Sequence, residues 1–187
     1  MRDIKGLKIT VVSSDSFACR KLQEAFSDHP DVEICHTDIR RYCYENRGEF
    51  DCLVSPANAF GFMTGGYDAA LSDILGWDFQ KKVQAYIQEH FYGEQGVGTS
   101  FMIGTNIPGV SLIHTPTMRY PSSIIDDWIV YYCMRSTLIC ALENDVKHII
   151  VPVFGGACGG VEPEVAARRM FEAYEQILTK QGASEWF

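Results

Sequence analysis

Two polar side chains stand ten residues apart in "SPANAFGFMTGGYDAAL", the stretch from Ser55 to Leu71: Asn58 and Asp68, with Gly65 and Gly66 between them. An amide both donates and accepts hydrogen bonds, and a carboxyl accepts them or holds a proton for a water. Glycines add backbone N–H groups that approach an anion without a Cβ in the way. A second glycine group, "FGGACGGVEP" over 154–163, brings Gly155, Gly156, Ala157, Cys158, Gly159 and Gly160 together just before a proline-led segment. One phosphate-bearing molecule held between the two loops accounts for both. The second loop is not a Walker A loop, since no Gly-Lys-Ser/Thr follows. Ala157 and Cys158 also break the G-x-G-x-x-G dinucleotide spacing.

Each of these residues also has a plainer role. The glycines serve tight turns, Asn58 braces its long loop through backbone hydrogen bonds, and Asp68 at the start of a helix is expected to cap it, because free amides and the helix dipole favour a carboxylate there. Asp38 reads equally as a turn or cap residue. Cys158 fills a small space in its loop, although a helix N-terminus lowers a thiol pKa and raises reactivity. His114 and Arg119, in "HTPTMRY", flank a strand end, and the sequence alone leaves their roles open.

The elements that must carry these loops alternate along the chain. "KITVVSS" (8–14) is a β-branched strand, and Asp15 and Ser16 are N-cap candidates for the helix after it. "VEIC" (32–35) and "CLVS" (52–55) are short strands bracketing a polar segment. A helix begins near Asp68 and breaks at Gly76, and Phe79, Val83, Tyr86, Ile87 and Phe91 recur at helical spacing in the next. "TSFMIG" (99–104) and "VSLIH" (110–114) form a hairpin or two neighbouring strands, and a long helix runs over 127–143. "HIIVPV" (148–153) is the last strand, and Pro163 sits at the first position of the last helix. Such alternation predicts an α/β layered sheet, whose ligands favour the crevice beyond the strands' carboxyl ends. Both glycine loops fall there.

The 187 residues, 47% of them hydrophobic, suffice for one domain and are short for two. A net charge of -8 without any Lys/Arg cluster disfavours a sequence-neutral phosphate-binding surface, and with it a nucleic-acid partner other than as a modified substrate. No apolar run reaches the roughly 18 residues of a spanning helix, so no membrane association and a cytoplasmic location are expected. Seven cysteines lack any C-x-x-C pair or histidine at zinc-ligand spacing, which predicts reduced core thiols, with neither metal nor cofactor. The tail "QGASEWF" (181–187) is expected to fray, or to dock through Trp186 and Phe187.

Taken in order, the motifs resemble those of the macrodomain family, whose members bind ADP-ribose. That family's first loop runs from a strand through Asn-Ala-Ala-Asn and a glycine run to an apolar residue and Asp. "LVSPANAFGFMTGGYDAAL" is similar, with Asn58, Gly65, Gly66, Tyr67 and Asp68 at the matching positions. The family's Gly-Asp-Ile-Thr turn is matched in "HTDIR" by Asp38 and Ile39, and "VPVFGGACGGVEP" resembles its second loop. The likeness spans about residues 30–175, and the extended form "SPANAFGFMTGGYDAAL…HTPTMR" is similar to a bacterial subgroup. The resemblance implies a three-layer α/β/α sandwich around a central mixed sheet. It places adenine at Asp38 and Ile39, the diphosphate between Gly65–Gly66 and residues 155–160, and the proximal ribose at Asn58 and Asp68. It implies ADP-ribose or an ADP-ribosylated macromolecule as partner. Three departures stand out: Ser55 replaces the motif's first Asn, Ser72 stands where some hydrolytic members have His, and Ala157 replaces a glycine.

The same likeness implies an alternative activity. An ADP-ribosyl hydrolase acting on modified protein, modified nucleic acid or O-acetyl-ADP-ribose would use Asn58 and Asp68 to hold and activate a water. An RNA- or poly-adenylate-binding module is a third reading, which the acidic balance disfavours.

Overall fold

The computed structural model describes residues 6–179, so the tail over 181–187, with Trp186 and Phe187, lies outside the described residues. Six strands form one sheet: β1 (Lys8–Ser13), β2 (Val32–His36), β3 (Cys52–Ser55), β4 (Phe101–Gly104), β5 (Ser111–His114) and β6 (His148–Val151). Their order across the sheet is β2-β1-β6-β3-β5-β4. Five run parallel, and β4 pairs antiparallel to β5 from Phe101↔His114 to Gly104↔Ser111, which decides for the hairpin. Every residue of β3 and β6 is buried, as expected for central parallel strands covered on both faces.

Two helical layers supply the cover. On one face, α1 (Ser16–Ala25), α5 (Trp128–Glu143) and α6 (Pro163–Tyr174) pack Leu22, Met134, Leu138 and Met170 against Ile9, Val11 and Ile149; a π-helical turn, Glu175–Thr179, follows α6. On the other, α2 (Ile39–Glu45), α3 (Gly66–Leu75) and α4 (Phe79–Phe91) pack Tyr42, Leu71, Val83 and Ile87 against Val12, Leu53 and Leu112. The sheet is therefore mixed and sandwiched between helices. Gly76, with φ 88°, ends α3 where the sequence placed the break.

One element was not anticipated. The polar segment between β2 and β3 contains α2, whose buried residues Ile39, Tyr42 and Cys43 fall at helical spacing over only 7 residues. Two turns are too few for a periodic signal against Arg40, Arg41, Tyr44 and Glu45 on the other side. Its position matters, because Asp38 heads it.

The carboxyl ends of β1, β2, β3 and β6 open on the same side of the sheet. Ser13, Thr37, Pro56 and Pro152, at or just beyond those ends, all border one cleft. This is where parallel α/β sheets bind ligands, since helix N-termini and loop amides converge there.

Candidate functional site

The cleft has a volume of about 610 Å³ and both glycine loops contribute to its wall. The first loop is organised by Asn58, which is 6% exposed. Its Nδ2 donates to the Phe62 carbonyl at 2.9 Å, and its Oδ1 accepts from the amides of Phe60 at 3.1 Å and Phe62 at 3.3 Å. The amide thus braces its own loop and keeps one Nδ2 hydrogen without an acceptor among the described residues. Further along, Met63 is pinned from two sides: Gln80 Oε1 accepts from its amide at 2.7 Å and Ser72 Oγ donates to its carbonyl at 2.8 Å. Ser72 therefore serves the loop's shape.

The expectation that Asp68 caps α3 is corrected by the structure. The N-cap is Gly65, which has no side chain to cap with, and Asp68 lies in the first turn with its carboxyl turned to β3. There Ser55 Oγ donates to Asp68 Oδ1 at 2.5 Å, with Ser55 at 0% exposure and Asp68 at 8%. The first amides of α3 stay uncapped on the cleft side, presenting the positive end of the helix dipole. Burial pushes the Asp68 carboxyl up to about 7, with the Ser55 hydrogen bond opposing that rise. No cation pairs with it among the described residues.

The second loop is closed by its own backbone. Val161 N donates to Gly155 O at 3.0 Å, Gly160 N to Ala157 O at 3.2 Å, and Ile124 N to Gly159 O at 2.8 Å. Among the described residues the amides of Ala157, Cys158 and Gly159 have no hydrogen-bond partner, and all three residues line the cleft with Gly155 and Gly156. Gly160 does not: it turns the chain behind that wall with φ 65°. Cys158 is exposed, and five of the other six free cysteines are buried.

At the head of α2, Asp38 does cap its helix, its Oδ1 accepting from the Arg40 amide at 2.8 Å. Arg40 returns a 3.2 Å contact to Asp38 Oδ2 and bonds Asp73 through Nε at 2.7 Å. Asp38, Ile39 and Arg40 all border the cleft. A carboxylate accepts at about four positions, so the cap leaves Asp38 able to take another N–H. Tyr67 borders the cleft, while its hydroxyl is enclosed without a partner among the described residues and burial pushes its pKa up.

The structure brings Asp38, Ile39, Asn58, Gly65, Gly66, Tyr67, Asp68 and residues 155–159 to one cleft. It keeps His114 and Arg119 away from it. His114 is fully buried, its Nδ1 bonded to Gln95 Oε1 at 2.6 Å and its ring stacked on Phe101, and burial lowers its pKa to about 3, so it is neutral. Arg119 makes a two-pronged pair with Glu94 at 2.6 and 2.8 Å. Thr117 and Met118, inside the "HTPTMR" stretch, line the cleft, and Pro121 lines it without any sequence signal. They reach it because Met118 forms a bridge beside Asn58, a contact across sixty residues. Asp15, foreseen only as the α1 cap, also borders the site.

Among the described residues the wall carries three carboxyl side chains, Asp15, Asp38 and Asp68, and one cation, Arg40, already engaged by Asp38 and Asp73. An anion bound here is held by backbone amides and helix termini. Among the described residues no helix is long and apolar enough to cross a membrane, and no group of three metal-ligating side chains is assembled.

Comparison with known proteins gives consistent matches. The family model of the Macro domain matches residues 54–170. An uncharacterized protein of Aquifex aeolicus is 30% identical over 133 residues, covering 70% of this chain and 76% of its own. The fold is similar to that of the macrodomain of Mycobacterium tuberculosis DarG, with TM-score 0.60, 19% identity and coverage of 71% and 86%. It is also similar to the Oceanobacillus iheyensis macrodomain with ADP, with TM-score 0.63, 21% identity and coverage of 76% and 73%. A Trypanosoma brucei macrodomain in complex with ADP aligns with TM-score 0.53 and 20% identity, covering 68% of this chain and 52% of that one.

Proposed function

This chain belongs to the macrodomain family, and from that premise we propose that its cleft binds ADP-ribose, free or attached to a macromolecule. Adenine lies at Asp38 and Ile39, the diphosphate between Gly65–Gly66 and residues 155–159, and the proximal ribose beside Asn58 and Asp68. The observation that carries the reading is the pairing, on one wall, of two separate sets of unbonded amides, at the head of α3 and over Ala157–Gly159. A diphosphate offers one phosphoryl group to each set, whereas a single phosphate offers one group in all. The ADP bound to two proteins of the same fold is the same nucleoside diphosphate chemistry.

Calorimetry with ADP-ribose tests this directly. One site is expected, with AMP bound at least about tenfold more weakly because one amide set goes unused. Since amides rather than free cations hold the anion, affinity is expected to change less than about threefold between roughly 50 and 300 mM salt. No heat at about 1 mM ligand sinks the proposal.

A second reading, ADP-ribosyl hydrolysis, is favoured by the Asp68 carboxyl, whose pKa near 7 suits a general base at neutral pH. Turnover of O-acetyl-ADP-ribose and of ADP-ribosylated protein and nucleic acid is the measurement. If the reading holds, the rate is half-maximal near pH 7 and reaches its plateau above about pH 8, and Asp68→Ala costs roughly 10²–10⁴-fold. Equal turnover in the variant removes Asp68 from the chemistry.

A further inference from the structure

Ser55 is the residue at which this chain departs from the double-Asn motif, and it is completely sealed, at 0% exposure. No ligand can touch it. Its hydroxyl hydrogen has a single acceptor among the described residues, Asp68 Oδ1 at 2.5 Å. The other carboxyl oxygen, Oδ2, has no partner among the described residues and is not sealed off, and Asp68 borders the cleft. The two oxygens are therefore inequivalent. A proton on Oδ1 would leave the Ser55 hydrogen unpaired in the core, at the full desolvation cost of a buried donor.

We propose that Ser55 is the positioning residue of this site: by donating to Oδ1 it orients the Asp68 carboxyl and directs Oδ2, with any proton the carboxyl carries, to the ligand's ribose. The ribose part rests on the ADP-ribose reading above. Ribose hydroxyls both donate and accept, so they meet Oδ2 in either protonation state, whereas a phosphate oxygen accepts only. That is the physical reason for ribose, and not diphosphate, at Asp68.

The surroundings leave Ser55 as the group that sets this carboxyl. From β3 comes Ser55 itself. Its neighbour in register on β5 is His114, which is neutral. On α3, the enclosed phenol of Tyr67 lies within electrostatic reach of Asp68, Asp38 and the Cys43 thiol, and it stays protonated. Arg40, the cation on the wall, is held by Asp38 and Asp73.

The test combines a readout without ligand and one with it. By carbon NMR of the Asp68 carboxyl in the free protein, Ser55→Ala is expected to raise the titration midpoint by about one to two pH units, and Ser55→Thr to restore it. By calorimetry, Ser55→Ala is expected to weaken ADP-ribose about tenfold in the wild-type background and less than about twofold on top of Asp68→Ala. An unmoved midpoint, or equal losses in both backgrounds, overturns the proposal, because Ser55 then acts only through packing. A shifted midpoint in a protein that binds no ADP-ribose upholds the positioning and fails the ligand reading instead.

Discussion

Asp68→Asn is expected to make the free protein more stable at pH 8, by about 2–4 kcal/mol and roughly 5–10 °C in melting temperature. The carboxyl titrates near 7 in the folded chain against 3.8 for an ordinary one. Below about pH 4 both folded and unfolded states carry the proton and the group contributes nothing to the pH dependence. Between pH 4 and 7 the unfolded chain releases its proton while the folded one retains it, so stability falls as pH rises, levelling off above 7. Asparagine stays neutral throughout and its Oδ1 still accepts from Ser55. The advantage of the variant should therefore shrink by more than half from pH 8 to pH 5. Urea denaturation of both proteins across that range is the check, and parallel stability curves would sink it. A buried carboxyl kept at such a cost, in a cleft, is what a functional role explains and packing does not.

Gly159→Ala has the other large effect, and it acts on geometry alone. A Cβ there would stand 2.6 Å from the Gly155 carbonyl oxygen and 3.0 Å from Gly155 Cα, backbone that cannot rotate away, and 2.7 Å from the Ile124 side chain at Cδ1. Gly155 itself holds φ 75°, and its own Cβ would meet Val161 Cγ2 at 2.9 Å, so the loop has no slack on either side. The second loop must open, which costs about 1–3 kcal/mol of stability and moves the free amides of Ala157–Gly159 off the ligand. An affinity loss of at least tenfold for ADP-ribose is expected, since amides displaced by about an ångström no longer meet the phosphate. Gly65→Ala is the control: its Cβ meets nothing within 4 Å, and less than about 1 kcal/mol is expected. Denaturation and calorimetry on the pair decide it, and indistinguishable variants would refute the argument.

Much of this architecture was legible from residue types. "CLVS" and "HIIV" read as buried strands because central parallel strands need apolar residues on both faces, and the structure buries them all. Pro163 and Gly76 marked a helix start and a helix end through backbone constraints that hold in any context. Two arrangements of β4 and β5 fit the sequence, because "TNIPG" specifies a turn and not a partner strand, and the antiparallel pairing selects the hairpin. The helix α2 escaped notice because two turns carry too little periodicity.

At the site, residue type named the participants and tertiary contact assigned their parts. The sequence by itself determined that two glycine loops, an Asn, and two Asp residues lie at strand ends, because turn chemistry and hydrophobic period are local properties of the chain. It allowed that Asn58 braces its own loop, but could not name Phe60 and Phe62 as the partners or put Gly160 behind the wall. Nor could it bring Met118 beside Asn58, since that bridge depends on how β3 and β5 pair. Most of all, Asp68 read as a helix cap, because a carboxylate at a helix start is favoured by free amides wherever it occurs. Only the packing of α3 against β3 turned it toward Ser55 and removed its water. The charge of a carboxyl depends on what surrounds it in space, and that is decided by the fold.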